Sequence, residues 1–271
     1  MAGTLYICPT PIGNLKDMTF RIIDTLKKVD LIAAEDTRHS IKLLNHFEIK
    51  KPMTSYHKYN IAQKSDYLIN KLKEGLDIAL ISDAGMPGIS DPGEELIRLA
   101  IKENIDVVVL PGPSAFLLAL VKSGLPTNRF CFEGFLPSKS NDRKKRLMEI
   151  KEEQRTMVFY EAPHRIIEFL EDMKEIFGDR SISVSRELTK MYEETLRGKI
   201  SEILSDIKDR ELKGEIVVVA EGYKSEEKEV NIKAELEKLR EKGISNKKAV
   251  EMVAKEFNLP KNRVYKESLD K

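Results

Sequence analysis

Short apolar runs alternate with longer amphipathic stretches along the first half of this chain. The runs are LYIC at Leu5, LIAAE at Leu31, MTSYH at Met53, DIALIS at Asp77 and VVVL at Val107. Their length and β-branched content predict strands. Between them, apolar spacings of three and four predict helices over Asp17–Lys28, through Ile41, Leu44 and Phe47, up to Gly75, over Gly93–Glu103, and from Ser114 onward. Strict alternation of strand and helix implies a mostly parallel sheet covered by helices, here residues 1–121. A second α/β unit is expected over 122–223, with strands at Phe130, Thr156, Ser181, Glu194 and Glu215 and a helix through Ile166, Leu170, Met173 and Ile176. Several of these strands lack an intervening helix, so the second sheet is expected to be partly antiparallel. The run KSEEKEVN reads as a linker. Residues 224–271 then read as a helix-turn-helix-like bundle: Ile232–Lys242 ended by Gly243, a helix N-capped by Ser245 through Phe257, and a third after the Asn258-Leu259-Pro260 break.

Three of the first-half strands end in Pro/Gly knots: CPTPIGN after Ile7, SDAGMPGISDPG after Ile81, and PGPSA after Leu110. Six of the eleven prolines lie in them. An open α/β sheet binds its ligand at the carboxyl ends of its strands, where Gly and Pro let rigid backbone approach closely. The knots therefore mark a candidate site. The glycine spacing of Gly88 to Gly93 imitates a phosphate loop, but Glu94 and Glu95 follow where Lys and Ser or Thr are needed, and carboxylates repel phosphate. CPTPIGN has only Gly13, which leaves no glycine pair for a dinucleotide pyrophosphate. What remains is a neutral to acidic cleft with Glu35, Asp36, Asp83 and Asp91 at strand ends. It suits a cationic or zwitterionic ligand such as S-adenosylmethionine, unless these acids merely cap turns and helices.

The formal net charge of +1, with 41% hydrophobic and 34% charged residues, excludes a wholesale polycation, so any nucleic-acid contact must use local patches. Arg143, Lys144, Lys145 and Arg146 form the densest one. The only cysteines, Cys8 and Cys131, lack a CxxC partner and read as reduced thiols. No His/Cys/Asp spacing resembles a metal site. No apolar run approaches the ~20 residues of a membrane span, so no membrane association and a cytoplasmic location are expected.

CPTPIGNLKDMTFR, AAEDTR at Ala33, SDAGMPGISDPG at Ser82, LPGPSA at Leu110, FYEAPHR at Phe159, SRELTK at Ser185 and GEIVVVAEG at Gly214 together resemble the ribosomal RNA small subunit methyltransferase I family. The likeness spans nearly the whole chain, including the helical tail. It implies the tetrapyrrole methylase fold, two α/β domains plus the small C-terminal helical bundle. It also implies a homodimer, and 2′-O-methylation by S-adenosylmethionine of a cytidine in the decoding region of 16S rRNA within the small ribosomal subunit. Carried over by position, donor contacts come from Pro11, Asp83, Ala84, Met86, Ser114, Ala115 and Ala162. The first loop departs from the G-x-G-P-G-D pattern of tetrapyrrole enzymes, which disfavours the alternative of a small-molecule, tetrapyrrole-like methyltransferase. A noncatalytic RNA-binding module would leave the knots unexplained.

Methyl transfer to a hydroxyl requires alignment and a proton acceptor. The candidates are Glu35, Asp36, Arg38 and His39 beyond one strand, and Arg186, Glu187 and Lys190 beyond another. Arg186 and Lys190 could hold a phosphate or polarise the hydroxyl, and Glu187 or Asp36 could take the proton. The competing expectation is that these charges form inter-domain ion pairs. Arg165, Lys247 and Lys248, with the basic run, are the candidate RNA contacts.

Overall fold

The computed structural model describes residues 2–224, 231–257 and 259–269. Most of the expected linker, 225–230, and Asn258 of the expected break lie outside the described residues. The chain divides into two compact units, Met1–Tyr223 and Lys224–Lys271.

In the first unit, strands β1 (Leu5–Ile7), β2 (Leu31–Ala34), β3 (Met53–Ser55), β4 (Ile78–Ile81) and β5 (Val107–Val109) form a sheet of order β3-β2-β4-β1-β5. Every neighbouring pair is parallel. Helices α1 (Phe20–Lys28), α2 (Thr37–His46), α3 (Ile61–Lys73) and α4 (Gly93–Lys102) cover it. The two-residue period of the strands assigns the faces. Leu5, Ile7, Ala33, Ile78 and Leu80 pack with Leu68 and Leu72 of α3 and Leu96 of α4. Ile32, Ala34, Ala79 and Ile81 pack with Ile22 and Leu26 of α1 and Leu44 of α2. The helix expected over Asp17–Lys28 is two pieces: a single 3₁₀ turn at Leu15–Asp17, then α1 after the Thr19 hydroxyl accepts the Ile22 amide. A capping Thr in extended backbone explains the break.

Helix α5 (Ala115–Ser123) follows β5 yet packs on the next sheet, so the expected boundary at 121/122 falls inside a helix. That second sheet contains β6 (Phe130–Phe135), β7 (Thr156–Glu161), β8 (Ser181–Arg186), β9 (Glu194–Lys199) and β10 (Ile216–Ala220) in the order β6-β7-β10-β8-β9. β6 and β7 run parallel and the other pairs antiparallel. Helices α6 (Ser140–Glu149), α7 (Ile166–Phe177) and α8 (Ile200–Ile207) fill one face around Phe159, Phe169 and Val218. On the other face Ala119 and Leu120 of α5 meet Val158, Val217, Val219 and Ile12. Ile12 belongs to the loop after β1, so this small core joins the two sheets.

The basic run lies on α6, where it is mostly engaged. Arg143 is 0% exposed. Its Nε donates to Asp172 of α7 at 2.7 Å and its Nη1 to the Ser138 carbonyl at 3.2 Å. It is a helix clamp and leaves the set of surface cations expected to track RNA. Lys144 reaches Glu175 at 2.6 Å, Arg146 reaches Glu133 at 2.7 Å, and Lys145 is exposed.

The second unit comprises α9 (Ile232–Glu241), α10 (Asn246–Glu256) and α11 (Lys261–Leu269), packed through Ile232, Leu236, Ala249, Val250, Val253 and Val264. Lys247 and Lys248 are exposed on α10.

Removing one partner of a buried ion pair strands the other charge, so Arg143→Met should lower stability by about 3–5 kcal/mol in denaturant unfolding. A loss below about 1 kcal/mol would show that Asp172 is satisfied without it.

Candidate active site

The parallel strands of the first sheet deliver their C-terminal loops to one edge. Backbone joins the first two loops there: Thr10 N donates to Gly85 O at 2.9 Å and Gly85 N to Thr10 O at 3.0 Å. The Thr10 hydroxyl also donates to Ser82 O at 2.9 Å. Gly85 has φ +83°, a conformation that costs other residues but not glycine. Beside these loops opens a cleft of about 400 Å³. One wall comes from Ile12, Glu35, Asp83, Ala84, Gly85, Met86, Ile89, Asp91, Ser114, Ala115 and Phe116, and the other from Phe135, Tyr160, Glu161, Ala162, Gly214 and Glu215 of the second sheet and its loops. Its size and mixed lining suit a small organic ligand.

Six of the seven expected donor contacts line this cleft: Asp83, Ala84, Met86, Ser114, Ala115 and Ala162. Among the described residues, the lining includes Ile12 rather than its neighbour Pro11. The three acids are mutually close. The Asp83 amide donates to the Glu35 carboxylate at 3.5 Å, and the Asp36 amide to Asp83 at 3.2 Å. Burial, and then the negative charge of Asp83, pushes the Glu35 carboxyl up. Burial and then the charges of Glu35 and Asp83 push Asp91 up to about 7. Tyr160 is pushed up to about 12, chiefly by burial. Of the five acids lining the cleft, Glu161 and Glu215 meet Arg165 and Lys190, and Glu35, Asp83 and Asp91 are left to attract a cation and disfavour a phosphate. Among the described residues, no set of three His, Cys, Asp or Glu side chains could hold a metal ion.

The four residues expected to do chemistry lie beside the cleft, outside its lining. Asp36 caps α2, accepting from the Arg38 amide at 2.8 Å, and its bonds to Arg38 hold its carboxyl down at about 2. Arg186 donates to Glu194 across the β8–β9 pair at 2.6 Å. Lys190 donates to Glu187 at 2.9 Å, and its Nζ lies 3.6 Å from Glu215. These are ion pairs, but each is formed within one α/β unit, not between the two. Arg165 bonds Glu161 at 3.0 Å and the Leu136 carbonyl at 3.2 Å, which commits it to the cleft wall. Sequence reasoning missed Phe116, Phe135, Tyr160, Gly214 and Glu215. Of these Tyr160, Gly214 and Glu215 carried a signal, as members of the FYEAPHR and GEIVVVAEG motifs.

An Asp whose folded-state pKa lies above its ordinary value binds its proton more tightly when folded. Its contribution to stability is thus present at low pH and lost as pH rises from 3.8 through about 7. Asp91→Asn should therefore raise the unfolding midpoint near pH 8 by roughly 2–4 °C per kcal/mol relieved, and leave it unchanged near pH 3. Thermal unfolding at both pH values checks this. An equal shift at both would place the effect in packing.

The family model for Tetrapyrrole (Corrin/Porphyrin) Methylases matches residues 4–204. A Synechocystis sp. protein named Ribosomal RNA small subunit methyltransferase I is 45% identical over 273 residues, covering 99% of this chain and 98% of that protein. Proteins of the same name from Bacillus subtilis and Escherichia coli O157:H7 are 47% and 45% identical; they cover 97% and 99% of this chain and are themselves covered over 93% and 95%. Among solved structures, a diphthine synthase aligns with TM-score 0.62 at 12% identity, over 80% of this chain and 89% of its own. Uroporphyrin-III-C-methyltransferase from Thermus thermophilus aligns with TM-score 0.57 at 17% identity, over 80% and 94%. At such identities these two speak for the fold alone. The chain belongs to the tetrapyrrole methylase family, in the branch of the small-subunit ribosomal RNA methyltransferases I.

Proposed function

We propose that the protein transfers a methyl group from S-adenosylmethionine to the ribose 2′-hydroxyl of a cytidine in the decoding region of 16S rRNA, within the small ribosomal subunit. The observation that carries this is the 42–47% identity, over nearly the full chain, to proteins named Ribosomal RNA small subunit methyltransferase I. The site supports it: Glu35, Asp83 and Asp91 give the cleft the negative charge that a sulfonium and an ammonium group require. When bound, S-adenosylmethionine supplies a methyl group already attached to a good leaving group.

The protein's share is binding, alignment and proton removal. Asp83 and the backbone of Ala84, Met86, Ser114, Ala115 and Ala162 hold the donor, with Pro11 shaping the loop behind Ile12. Asp91 takes the hydroxyl proton, because among the cleft carboxyls its affinity, at about 7, is matched to neutral pH. Lys190, paired with Glu187 and Glu215, keeps a positive charge at the cleft edge. Exposed Lys145, Lys247 and Lys248 contact RNA phosphates. The protein works in the cytoplasm as a homodimer, for which the exposed Leu117, Leu118 and Val121 of α5 offer an apolar face.

Labelled S-adenosylmethionine incubated with 30S particles should place label in one cytidine ribose; label in a base, or none, defeats the proposal. Asp83→Ala should weaken donor binding by about tenfold or more in calorimetry, the loss of a hydrogen bond to a charged group. A base must be deprotonated to act, so wild-type kcat/KM should rise with pH and level off above about 7. Asp91→Asn should be slower by ~10²-fold or more and lack that rise. Retention of the pH profile in the variant would assign the base elsewhere.

A further inference from the structure

Strand β6 contains an irregularity with a visible result. Its register against β7 pairs Phe130 with Thr156, Cys131 with Met157 and Phe132 with Val158, then skips Glu133 and resumes with Gly134 opposite Phe159 and Phe135 opposite Tyr160. Uninterrupted alternation would put Phe135 on the face opposite Phe132, toward the helices. The extra residue reverses this, and Phe135 emerges on the Val158 and Tyr160 side, lining the cleft. Gly134 makes the bulge possible with φ +63°. Arg146 fixes the skipped residue, donating to the Glu133 carboxylate at 2.7 and 3.2 Å.

The redirected ring is left 58% exposed. Its centroid lies 5.4 Å from that of Tyr160 at an interplanar angle of 55°, so Tyr160 is not stacked face to face on it, and its exposure leaves room for a planar partner. Ile89, 40% exposed, is the only other large apolar side chain of the lining that is comparably open. It comes from the opposite wall. The cleft thus carries a solvent-exposed aromatic ring from one wall and an exposed aliphatic side chain from the other, with Glu35, Asp83 and Asp91 in the same lining.

A ribose hydroxyl in a stacked helix cannot enter a cleft walled by two sheets. Its nucleotide must be splayed out, and the base that leaves its neighbours needs a new surface to stack on. We infer that Phe135, turned into the cleft by the Gly134 bulge, is the platform on which the nucleobase of the acceptor nucleotide stacks, with Ile89 on the opposite wall. The platform rests on the RNA-methylation reading above and adds to it where the acceptor lies. Arg146 acts through the bulge as a positioning residue.

The test compares wild type with Phe135→Ala, Phe135→Leu and Phe135→Trp. It reads S-adenosylmethionine affinity by calorimetry and single-turnover methylation of 30S particles. The alanine variant should keep its donor Kd within about twofold and lose roughly 5- to 150-fold in kcat/KM for the particle, the range for one base stacked on an aromatic side chain. Tryptophan should restore activity and leucine should not. Unchanged kcat/KM in the alanine variant, a parallel loss of donor affinity, or leucine matching tryptophan would each overturn the platform while leaving the RNA-methylation reading intact. The parallel loss would assign the ring to the donor. Wild-type protein that transfers no methyl to the particle removes that reading, and the platform with it.

Discussion

Two backbone hydrogen bonds between Thr10 and Gly85 hold together the part of the structure on which the site depends. Parallel strands send their outgoing loops to the same edge, but nothing in the sheet ladder fixes those loops to one another. The Thr10–Gly85 bridge does so, and the Thr10 hydroxyl bonded to Ser82 O closes the same corner. Backbone polar groups that would otherwise need water are satisfied by the neighbouring loop. The loops can then serve as a rigid wall. Asp83 and Met86, on either side of the bridged glycine, inherit that rigidity.

Rigidity explains how the cleft tolerates its charge. Burial and then the neighbouring carboxylates raise the proton affinity of Glu35 and Asp91, and among the described residues no cation forms a salt bridge with Glu35, Asp83 or Asp91. Outside the cleft lining several acids do have cationic partners. Asp36 meets Arg38, Glu187 meets Lys190, Glu194 meets Arg186 and Arg210, and Asp172 meets Arg143. Three close carboxyls without a salt bridge in one cavity are a charge available to a ligand.

The strands and their terminal knots were legible because each is local: a short apolar run followed by Pro and Gly allows few other structures. The acids at strand ends were legible for the same reason. What separates Asp91 from Asp36 was not, since both follow a strand and precede a helix. The difference is that Asp36 finds Arg38 two positions away, while Asp91 faces Asp83 of its own knot and Glu35 from another segment. Arg143 misled for a related reason. In sequence it is one of four successive cations, and only its partner Asp172, 29 positions distant on α7, shows that it points inward. The FCFEGF run shows a strand but conceals its reversal of face, because Gly134 reads equally well as a weak point in a regular strand.

The segment from Arg186 to Lys190, attractive in sequence as chemistry, also makes contact with both walls of the cleft. Glu187 and Thr189 both have positive φ, at 50° and 69°, an unfavourable conformation for residues with a Cβ. The contacts that hold them there are specific. The stem of Lys190 lies over Gly13, where an added Cβ would come within 2.3 Å of Lys190 Cγ. The Glu187 carboxylate occupies the space beside Gly214, where a Cβ would come within 1.9 Å of its oxygen. Gly13 belongs to the loop after β1 and Gly214 to the approach to β10, so one short segment touches both walls at points where only glycine leaves room. The ammonium of Lys190 then draws Glu187 and Glu215 together. A shift in either wall must stretch this contact or force the strained residues to relax. Packing against two glycines therefore couples the two walls, and the Lys190–Glu187 charges reinforce that packing.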